Sequence, residues 1–283
     1  MKPIPRKIAR IITPQAVVEG AGVRLKRSIA TRTLDYLDPF LLLDQFQSTN
    51  PADYQAGFPL HPHRGIETVT YLLAGAVRHR DTLGNSGEIG AGDIQWMTAG
   101  RGIMHEEMPQ VRPEGIAGFQ LWVNLPAKLK WSAPRYQNIG AEEIPEIRRE
   151  DSAIIRVIAG RADGVIGPIS GIAAEPIYLD VTVSPQAGFV HAVPRGHAAF
   201  AYVFEGKGRF GAEEQMLVTQ PRLVVWADGD TLEVKAEETA VRFLLVSGQP
   251  LREPVARYGP FVMNTREEIE RTLEELQQGT FAT

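Results

Sequence analysis

Short segments in which polar and apolar residues alternate recur along most of the 283-residue chain, with turn residues between them. In GFQLWVNLP (118–126), Phe119 and Leu121 fall on one face of an extended strand, and Gln120 and Trp122 fall on the other. The same reasoning predicts strands in ETVTYLLAG, GDIQWMT, AIIRVIAG, IYLDVTV, FAYVFEG, RLVVWADG and VRFLLVSG. Many short strands spaced about 8–12 residues apart are typical of sandwiches and barrels, so we predict an all-β chain.

One helix is predicted, near residues 265–278. Thr265 and Glu268 have the spacing of a capping box, in which each side chain bonds the other residue's backbone N–H. Apolar residues follow at helical spacing from Ile269, and Gly279 suits the end of the helix. We therefore expect a short C-terminal helix beside the strands.

A repeated sequence pattern indicates two β-domains. The tetrapeptide QAGF occurs at 55–58 and again at 186–189, and each copy is followed by His, Pro, Arg-Gly and an apolar segment that ends in Gly. A charged, proline-containing stretch lies between the two halves at 140–152. We predict an N-terminal domain over 1–139 and a C-terminal domain over 140–283, which includes the helix.

Composition excludes several kinds of site. The chain has no cysteine, so disulfides, thiolate metal ligands and a cysteine nucleophile are absent. A formal charge of −4 without a large basic cluster argues against direct nucleic-acid binding. No apolar stretch reaches the length of about 18 residues that a membrane helix needs. We expect a cytoplasmic protein.

Two short motifs carry the chemistry. His61 and His63 lie two residues apart at the start of a predicted strand, so both side chains point to one face. His105 and Glu107 share a face by the same rule. Converging imidazoles are costly in an interior unless their nitrogens are satisfied, which a metal ion achieves. If neighbouring strands bring the motifs together, they form a set of three histidines and one carboxylate.

The ligand types leave the metal open. Imidazole suits iron, nickel, copper and zinc, and a carboxylate adds harder character. On an octahedral ion, four protein ligands leave two positions for water, substrate or dioxygen. On a tetrahedral zinc ion, the same four ligands close the site and make it structural.

The remaining histidines are assigned ordinary roles. His79 lies among charged residues in VRHRDT and is expected to be exposed. His191 and His197 do not have the spacing of the first motif. We therefore expect no metal site in the C-terminal domain.

Other residues near the motifs are given structural or surface roles. Arg64 and Arg101 flank the two motifs and either act on a substrate or form ion pairs. Trp96 and Met97 are expected in the core, and Asp93 in a turn.

The chain resembles the pirins, a family within the cupin superfamily, over most of its length. The matching segments are LDPFLLLDQF (37–46), HPHRGIETVTYLL (61–73), GDIQWMTAGRGIMHEEMP (92–109), GFQLWVNLPAK (118–128) and GPFVMNT (259–265). The resemblance implies a bicupin, with two cupin-type β-barrels of the double-stranded β-helix, or jelly-roll, type.

The resemblance also implies one metal ion in the N-terminal domain, with iron(II) favoured and nickel, manganese, cobalt, copper or zinc left open. Carried over position by position, the metal ligands are His61, His63, His105 and Glu107. In other cupins the carboxylate ligand would be Glu67, which we assign here to a supporting role. Glu106, where pirins often have a small residue, is expected to face away from the metal.

Two functions follow from the resemblance. The first is that of a quercetin 2,3-dioxygenase, an oxidoreductase that opens a flavonol ring with dioxygen and releases carbon monoxide, with Glu107 as a candidate base. The second is a metal- or redox-dependent regulator that binds a transcription factor or a metabolic enzyme without turnover. Whether the protein is an enzyme is left open by the sequence, and the dioxygenase is the favoured reading.

Overall fold

The computed structural model describes residues 2–282, and its regular structure is almost entirely β. The strands of the first half are β1 (Ile8–Ile12), β2 (Gln15–Glu19), β3 (Val23–Ile29), β4 (Phe40–Ser48), β5 (Phe58–His63), β6 (Ile66–Ala74), β7 (Ala76–Asp81), β8 (Ser86–Ile89), β9 (Ile94–Thr98), β10 (Ile103–Gln110), β11 (Ile116–Asn124) and β12 (Arg135–Ile139). The second half contains β13 (Glu146–Arg149), β14 (Ala153–Ala159), β15 (Arg161–Ala162), β16 (Val165–Ile166), β17 (Ile177–Val183), β18 (Gly188–Ala192), β19 (Ala198–Phe210), β20 (Met216–Thr219), β21 (Arg222–Trp226), β22 (Thr231–Gly248), β23 (Ala256–Tyr258), β24 (Phe261–Met263) and the helix α1 (Arg266–Gln277). The all-β prediction with one C-terminal helix is confirmed.

The chain divides into two compact units, and each is discontinuous in sequence. One unit combines residues 15–141 with 251–283, and the other combines 1–14 with 142–250. The change near 141 lies close to the expected boundary, but the two ends of the chain differ from the domains 1–139 and 140–283. The physical reason is strand pairing at one end, since β1 is antiparallel to β21, and helix packing at the other.

The unit formed by 15–141 and 251–283 contains two large sheets. Seven strands form the first sheet in the order β12-β9-β6-β11-β4-β3-β2, and four form the second in the order β5-β10-β7-β8. Neighbouring strands in both sheets are antiparallel. This is the cupin-type jelly roll predicted from the resemblance, built as a sandwich of two sheets rather than as a closed barrel.

The other unit is built on one large sheet of nine strands. Its long strands β19 and β22 have 13 and 18 residues and pair along most of their length. Its core is densely apolar and includes Phe189, Phe210, Trp226 and Phe243. Apolar packing of this kind supplies the main driving force for folding of the unit.

The helix α1 begins with the predicted capping box. The Thr265 hydroxyl accepts from the Glu268 N–H, and the Glu268 carboxylate accepts from the Thr265 N–H. Its apolar side includes Ile269 and packs with Phe261, Met263 and Phe281. Within residues 2–282 no helix has the length and apolar character needed to cross a bilayer.

Candidate metal centre

The two predicted motifs lie on neighbouring strands. β5 carries His61 and His63, β10 carries His105 and Glu107, and the strands pair so that His105 is opposite His61. A β-bulge shifts the register between His105 and Glu107, which places Glu107 opposite Phe58. Antiparallel pairing therefore brings the three histidines of the two motifs together, as the alternation of side chains predicted.

Three imidazoles converge at this point. One ring nitrogen from each of His61, His63 and His105 lies within 4.8 Å of the others. The His61 and His63 Nε2 atoms are 3.1 Å apart, and the ring centroids of His61 and His105 are 4.5 Å apart. His61 is oriented by its Nδ1 atom, which lies 2.9 Å from the Pro59 carbonyl oxygen.

The environment of these rings fits a transition-metal ion. Both ring nitrogens of His105 are buried without a hydrogen-bond partner among residues 2–282. Burial, reinforced by the neighbouring histidines, lowers the pKa of His63 and of His105 well below the usual value. The rings of His63 and His105 are therefore neutral at physiological pH, which is the form that binds a metal. A bound ion would satisfy nitrogens that are otherwise costly to bury.

Glu107 lies beside this cluster rather than within it. Its carboxylate is buried, and its Oε1 atom accepts a 2.9 Å hydrogen bond from the Thr70 hydroxyl. Burial raises the pKa of Glu107, while the nearby His61 and the Thr70 hydroxyl act to lower it. Oε1 is engaged with Thr70, whereas Oε2 has no hydrogen-bond partner within residues 2–282 and can take a metal or a proton.

The two other acidic residues of the motifs face elsewhere. Glu106 points outward and forms a 3.2 Å ion pair with Arg80, which confirms that it faces away from the histidines. Glu67 is buried and accepts a 2.8 Å hydrogen bond from the Thr98 hydroxyl. Burial is the main cause that raises the pKa of Glu67 from 4.5 to about 7.

The titration of Glu67 should be visible in the stability of the protein. Since its folded pKa is about 7 and its ordinary value is 4.5, the folded chain binds more protons between these pH values, and stability falls as pH rises through them. The variant Glu67→Gln is expected to exceed the metal-free wild type in unfolding free energy by about 3 kcal/mol at pH 8. The difference should shrink toward pH 5.

Urea unfolding of both metal-free proteins at intervals between pH 5 and pH 8 measures this difference. The exposed variant Glu114→Gln serves as the control, because removal of its surface carboxylate should leave the pH profile unchanged. If the unfolding free energies of wild type and Glu67→Gln changed in parallel with pH, the raised pKa of Glu67 would be contradicted.

A cavity of about 610 Å³ opens onto the histidines. His61, His63, Thr70 and Glu107 lie on its wall. Apolar residues form much of the remaining wall and include Leu25, Leu42, Phe46, Phe58, Val77 and Ile116. A space of this size, apolar with a few convergent polar groups, is typical of a small-molecule site.

A row of polar residues crosses the inner face of the seven-stranded sheet next to this cavity. In strand order the row consists of Arg27, Asp44, Gln120, Thr70 and Gln95, each opposite the next. None of these five residues was predicted from the sequence to lie at the site. A carboxylate that interrupts an apolar run, as Asp44 does in FLLLDQF, was the available signal, because a buried polar group needs a partner or a role.

His79 is not exposed, contrary to the sequence-based expectation. It alternates with Arg78 and Arg80 along β7, so that the arginines face outward and His79 is buried. Its Nδ1 atom lies 2.9 Å from the Gln95 Nε2 atom, and its ring stacks on Tyr136. The charged neighbours in the sequence therefore belong to the opposite face of the strand.

The two histidines of the other unit lie apart from any histidine cluster in the described chain. His191 is buried and stacks on Phe189, and burial lowers its pKa to about 4. His197 is partly buried, and its backbone carbonyl accepts a 2.9 Å hydrogen bond from Arg6.

Among the other residues singled out, Trp96 and Met97 lie in the core and Asp93 in a turn, as predicted. Arg64 forms an ion pair, one of the two roles considered. Its guanidinium is buried and binds the Arg101 carbonyl oxygen, the Thr272 hydroxyl and the Glu275 carboxylate. It thereby ties α1 to the segment that follows His63.

Comparison with known proteins gives consistent results. Residues 22–123 match the pirin family model, and residues 178–282 match that of the pirin C-terminal cupin domain. A Pseudomonas aeruginosa protein provisionally named quercetin 2,3-dioxygenase is 43% identical over 281 residues, which cover 98% of each chain.

Two solved structures are also similar. The crystal structure of a quercetin 2,3-dioxygenase from Acinetobacter baumannii has a TM-score of 0.88 and 34% identity, and the match covers 98% of each chain. The bacterial pirin YhhW from Escherichia coli, solved in complex with nickel(II), has a TM-score of 0.63. At 19% identity, over 85% of this chain and 99% of that one, it shares the fold.

Proposed function

The chain belongs to the pirin family, and on that premise we propose that it is a metal-dependent dioxygenase that cleaves flavonols of the quercetin type. The observation that carries the proposal is the convergence of His61, His63 and His105 beside a cavity of about 610 Å³, whose wall includes His61 and His63. The name of the Acinetobacter relative supports the reaction class.

The metal ligands in this proposal are His61, His63, His105 and Glu107. Iron(II) is the favoured ion, and the nickel(II) complex of YhhW supports a divalent transition metal in this fold. When bound, such an ion supplies Lewis acidity toward a substrate hydroxyl and the redox chemistry that dioxygen requires. We place the protein in the cytoplasm.

The chain's own residues bind the substrate and handle its proton. Thr70 donates to Glu107 Oε1 and so fixes the carboxylate at the cavity wall, where Oε2, when it is not a metal ligand, can accept the proton of the flavonol hydroxyl. Trp122 packs edge-on against His63, with ring centroids 5.1 Å apart, and limits how an aromatic ring approaches the site. The apolar wall favours a flat aromatic molecule over water.

The cavity also argues against a purely structural zinc site. A structural zinc site is closed by four protein ligands, whereas this cluster borders a space large enough for a small molecule. His61 is only partly buried, so one side of the cluster faces that space. This arrangement supports a site that admits substrate.

The role of Glu107 can be tested with the variant Glu107→Gln. The amide keeps the shape of the side chain and still accepts from Thr70, but it cannot take a proton at neutral pH. We expect flavonol consumption per bound metal to fall about 100-fold, which is within the usual contribution of a general base. Metal analysis and turnover would be measured on the same sample.

A Glu107→Gln protein that keeps its metal and its full turnover would exclude the base role. The variant Glu106→Gln is the matched control, since this neighbour faces outward toward Arg80.

Oxygen uptake with quercetin tests the proposed function as a whole. Protein samples of graded, quantified iron content should consume dioxygen in proportion to iron, with carbon monoxide released per flavonol consumed. Stoichiometric metal without uptake would overturn the proposed activity.

A further inference from the structure

The rim of the cavity includes a segment from the far end of the chain. Arg257, Gly259 and Pro260 line the same cavity as His61 and His63, although about 200 residues separate them. Arg257 and Gly259 are exposed, whereas His63 and Glu107 are buried. The cavity therefore runs from a solvent-facing rim, formed in part by residues 257–260, to the buried histidines.

The Arg257 guanidinium is fixed over this rim by two contacts. It lies 5.3 Å from the centre of the Trp122 ring, and its Nη1 atom donates a 3.2 Å hydrogen bond to the Leu41 carbonyl. Trp122 in turn packs against His63. The indole thus stands between the guanidinium and the histidine cluster, and a ligand that lies along it can reach both.

Most of the hydrogen-bonding capacity of Arg257 is uncommitted. A guanidinium has five N–H donors, of which the described structure uses one, and no carboxylate of residues 2–282 lies within 4.0 Å of it. Three acidic residues lie nearby: Asp35, which is exposed and makes no contact with Arg257 within 4.0 Å, and Asp44 and Glu19, which are already paired. Arg27 donates to both oxygens of Asp44 at 2.9 and 2.7 Å, and to Glu19 at 2.7 Å.

Fixed orientation, free donors and a position at the cavity rim are the properties of a ligand-binding arginine. Guanidinium groups recognise carboxylates and other oxyanions through paired N–H···O bonds and stack on aromatic faces. Glu19 and Asp44 form no ion pair with Arg257. Both are paired with Arg27, which neutralises part of their charge. The remaining N–H donors of the Arg257 guanidinium therefore stay available to an oxyanion from solution.

We propose that Arg257 and Trp122 form a second binding point for substrate, which selects planar aromatic molecules with an acidic oxygen group remote from the atoms that bind at the histidines. The acidic group is a carboxylate or an ionised phenol. This inference rests on the proposed function, because it specifies the substrate class of the same cavity.

Binding, rather than turnover, is the direct test. Two probes differ only at the remote end: 3-hydroxyflavone, which is neutral there, and 3-hydroxyflavone-4′-carboxylate. Their dissociation constants would be measured by quenching of tryptophan fluorescence on zinc-loaded protein, since zinc has no redox chemistry and the probes are not consumed. The wild type is expected to bind the carboxylate probe more tightly.

The variant Arg257→Gln should lose about tenfold in affinity for the carboxylate probe, the usual scale of one charge-assisted hydrogen bond, and less than twofold for the neutral probe. Arg257→Lys keeps the charge but lacks the paired N–H donors of a guanidinium, so its loss of affinity for the carboxylate probe should be intermediate. The control is Arg78→Gln, an arginine whose side chain is 66% exposed on the outer face of β7.

An unchanged ratio of the two affinities in Arg257→Gln would overturn the inference, and so would a lack of binding of either probe to the wild type. The proposed function has a separate readout. If iron-loaded wild type consumes dioxygen with quercetin while the affinity ratio does not respond to Arg257, only the second binding point is excluded. If iron-loaded wild type shows no uptake, the proposed activity is excluded instead.

Discussion

Replacement of both His61 and His63 by alanine is expected to remove stoichiometric metal binding and to lower oxygen uptake with quercetin by at least about 100-fold. The two rings supply two of the three nitrogen donors that lie within 4.8 Å of one another. The two proposed ligands that remain, His105 and Glu107, cannot hold a divalent ion against the solvent, because affinity in such sites depends on several ligands acting together. Loss of the ion removes the chemistry that no protein side chain provides.

Metal content and uptake would be measured on the same preparations. His197→Asn is the matched control, since this histidine belongs to the other unit and lies outside the cluster. A double alanine variant that retained one metal ion per chain would place the site elsewhere. A variant without metal but with full uptake would show that the reaction does not need these ligands.

A large loss of stability is expected from replacement of Lys130. Its side chain is fully buried, and its ammonium donates to the Gly65 carbonyl at 2.9 Å, to Asn124 Oδ1 at 2.7 Å and to the Val262 carbonyl at 2.7 Å. Burial lowers the pKa of Lys130 to about 7, whereas the charges of Glu253 and Glu268 act to raise it. Through Gly65 and Val262, the Lys130 ammonium therefore joins the segment after His63 to the strand β24.

The variant Lys130→Met keeps the length of the side chain but removes the donor to three buried oxygens, of which the Gly65 carbonyl keeps a second donor, the Leu125 N–H at 3.4 Å. Each unsatisfied group costs about 1 kcal/mol or more, so the unfolding free energy should fall by about 3 kcal/mol. Urea unfolding followed by tryptophan fluorescence measures the change. The exposed Lys128→Met is the control, and equal midpoints for the two variants would refute the structural role of Lys130.

The histidine motifs could be predicted from sequence because alternation in a strand is a local property. His61 and His63 share a face whatever the rest of the chain does, and so do His105 and Glu107. The pairing of Glu107 with Phe58 could not be predicted in the same way. It depends on one extra residue in β5 between His61 and Phe58, and bulges of this kind have no reliable signal in a single sequence.

Contacts between distant segments were also beyond the sequence analysis. Arg257 reads as an isolated charge in VARYGP, and only the fold shows that it lies against Trp122. His79 was misassigned because its charged neighbours were given more weight than its position in the strand. In both cases the deciding information is which strand lies alongside, and that is set by the global packing.

The exchange of terminal segments between the two units has a consequence for the order in which the protein is made. Residues 15–141 leave the ribosome early, but the residues 257–260 that complete the rim of their cavity follow only after 142–250 have been translated. During synthesis the histidines are therefore present well before the cavity around them is complete. A nascent chain can therefore meet metal ions at these histidines before it can enclose a substrate.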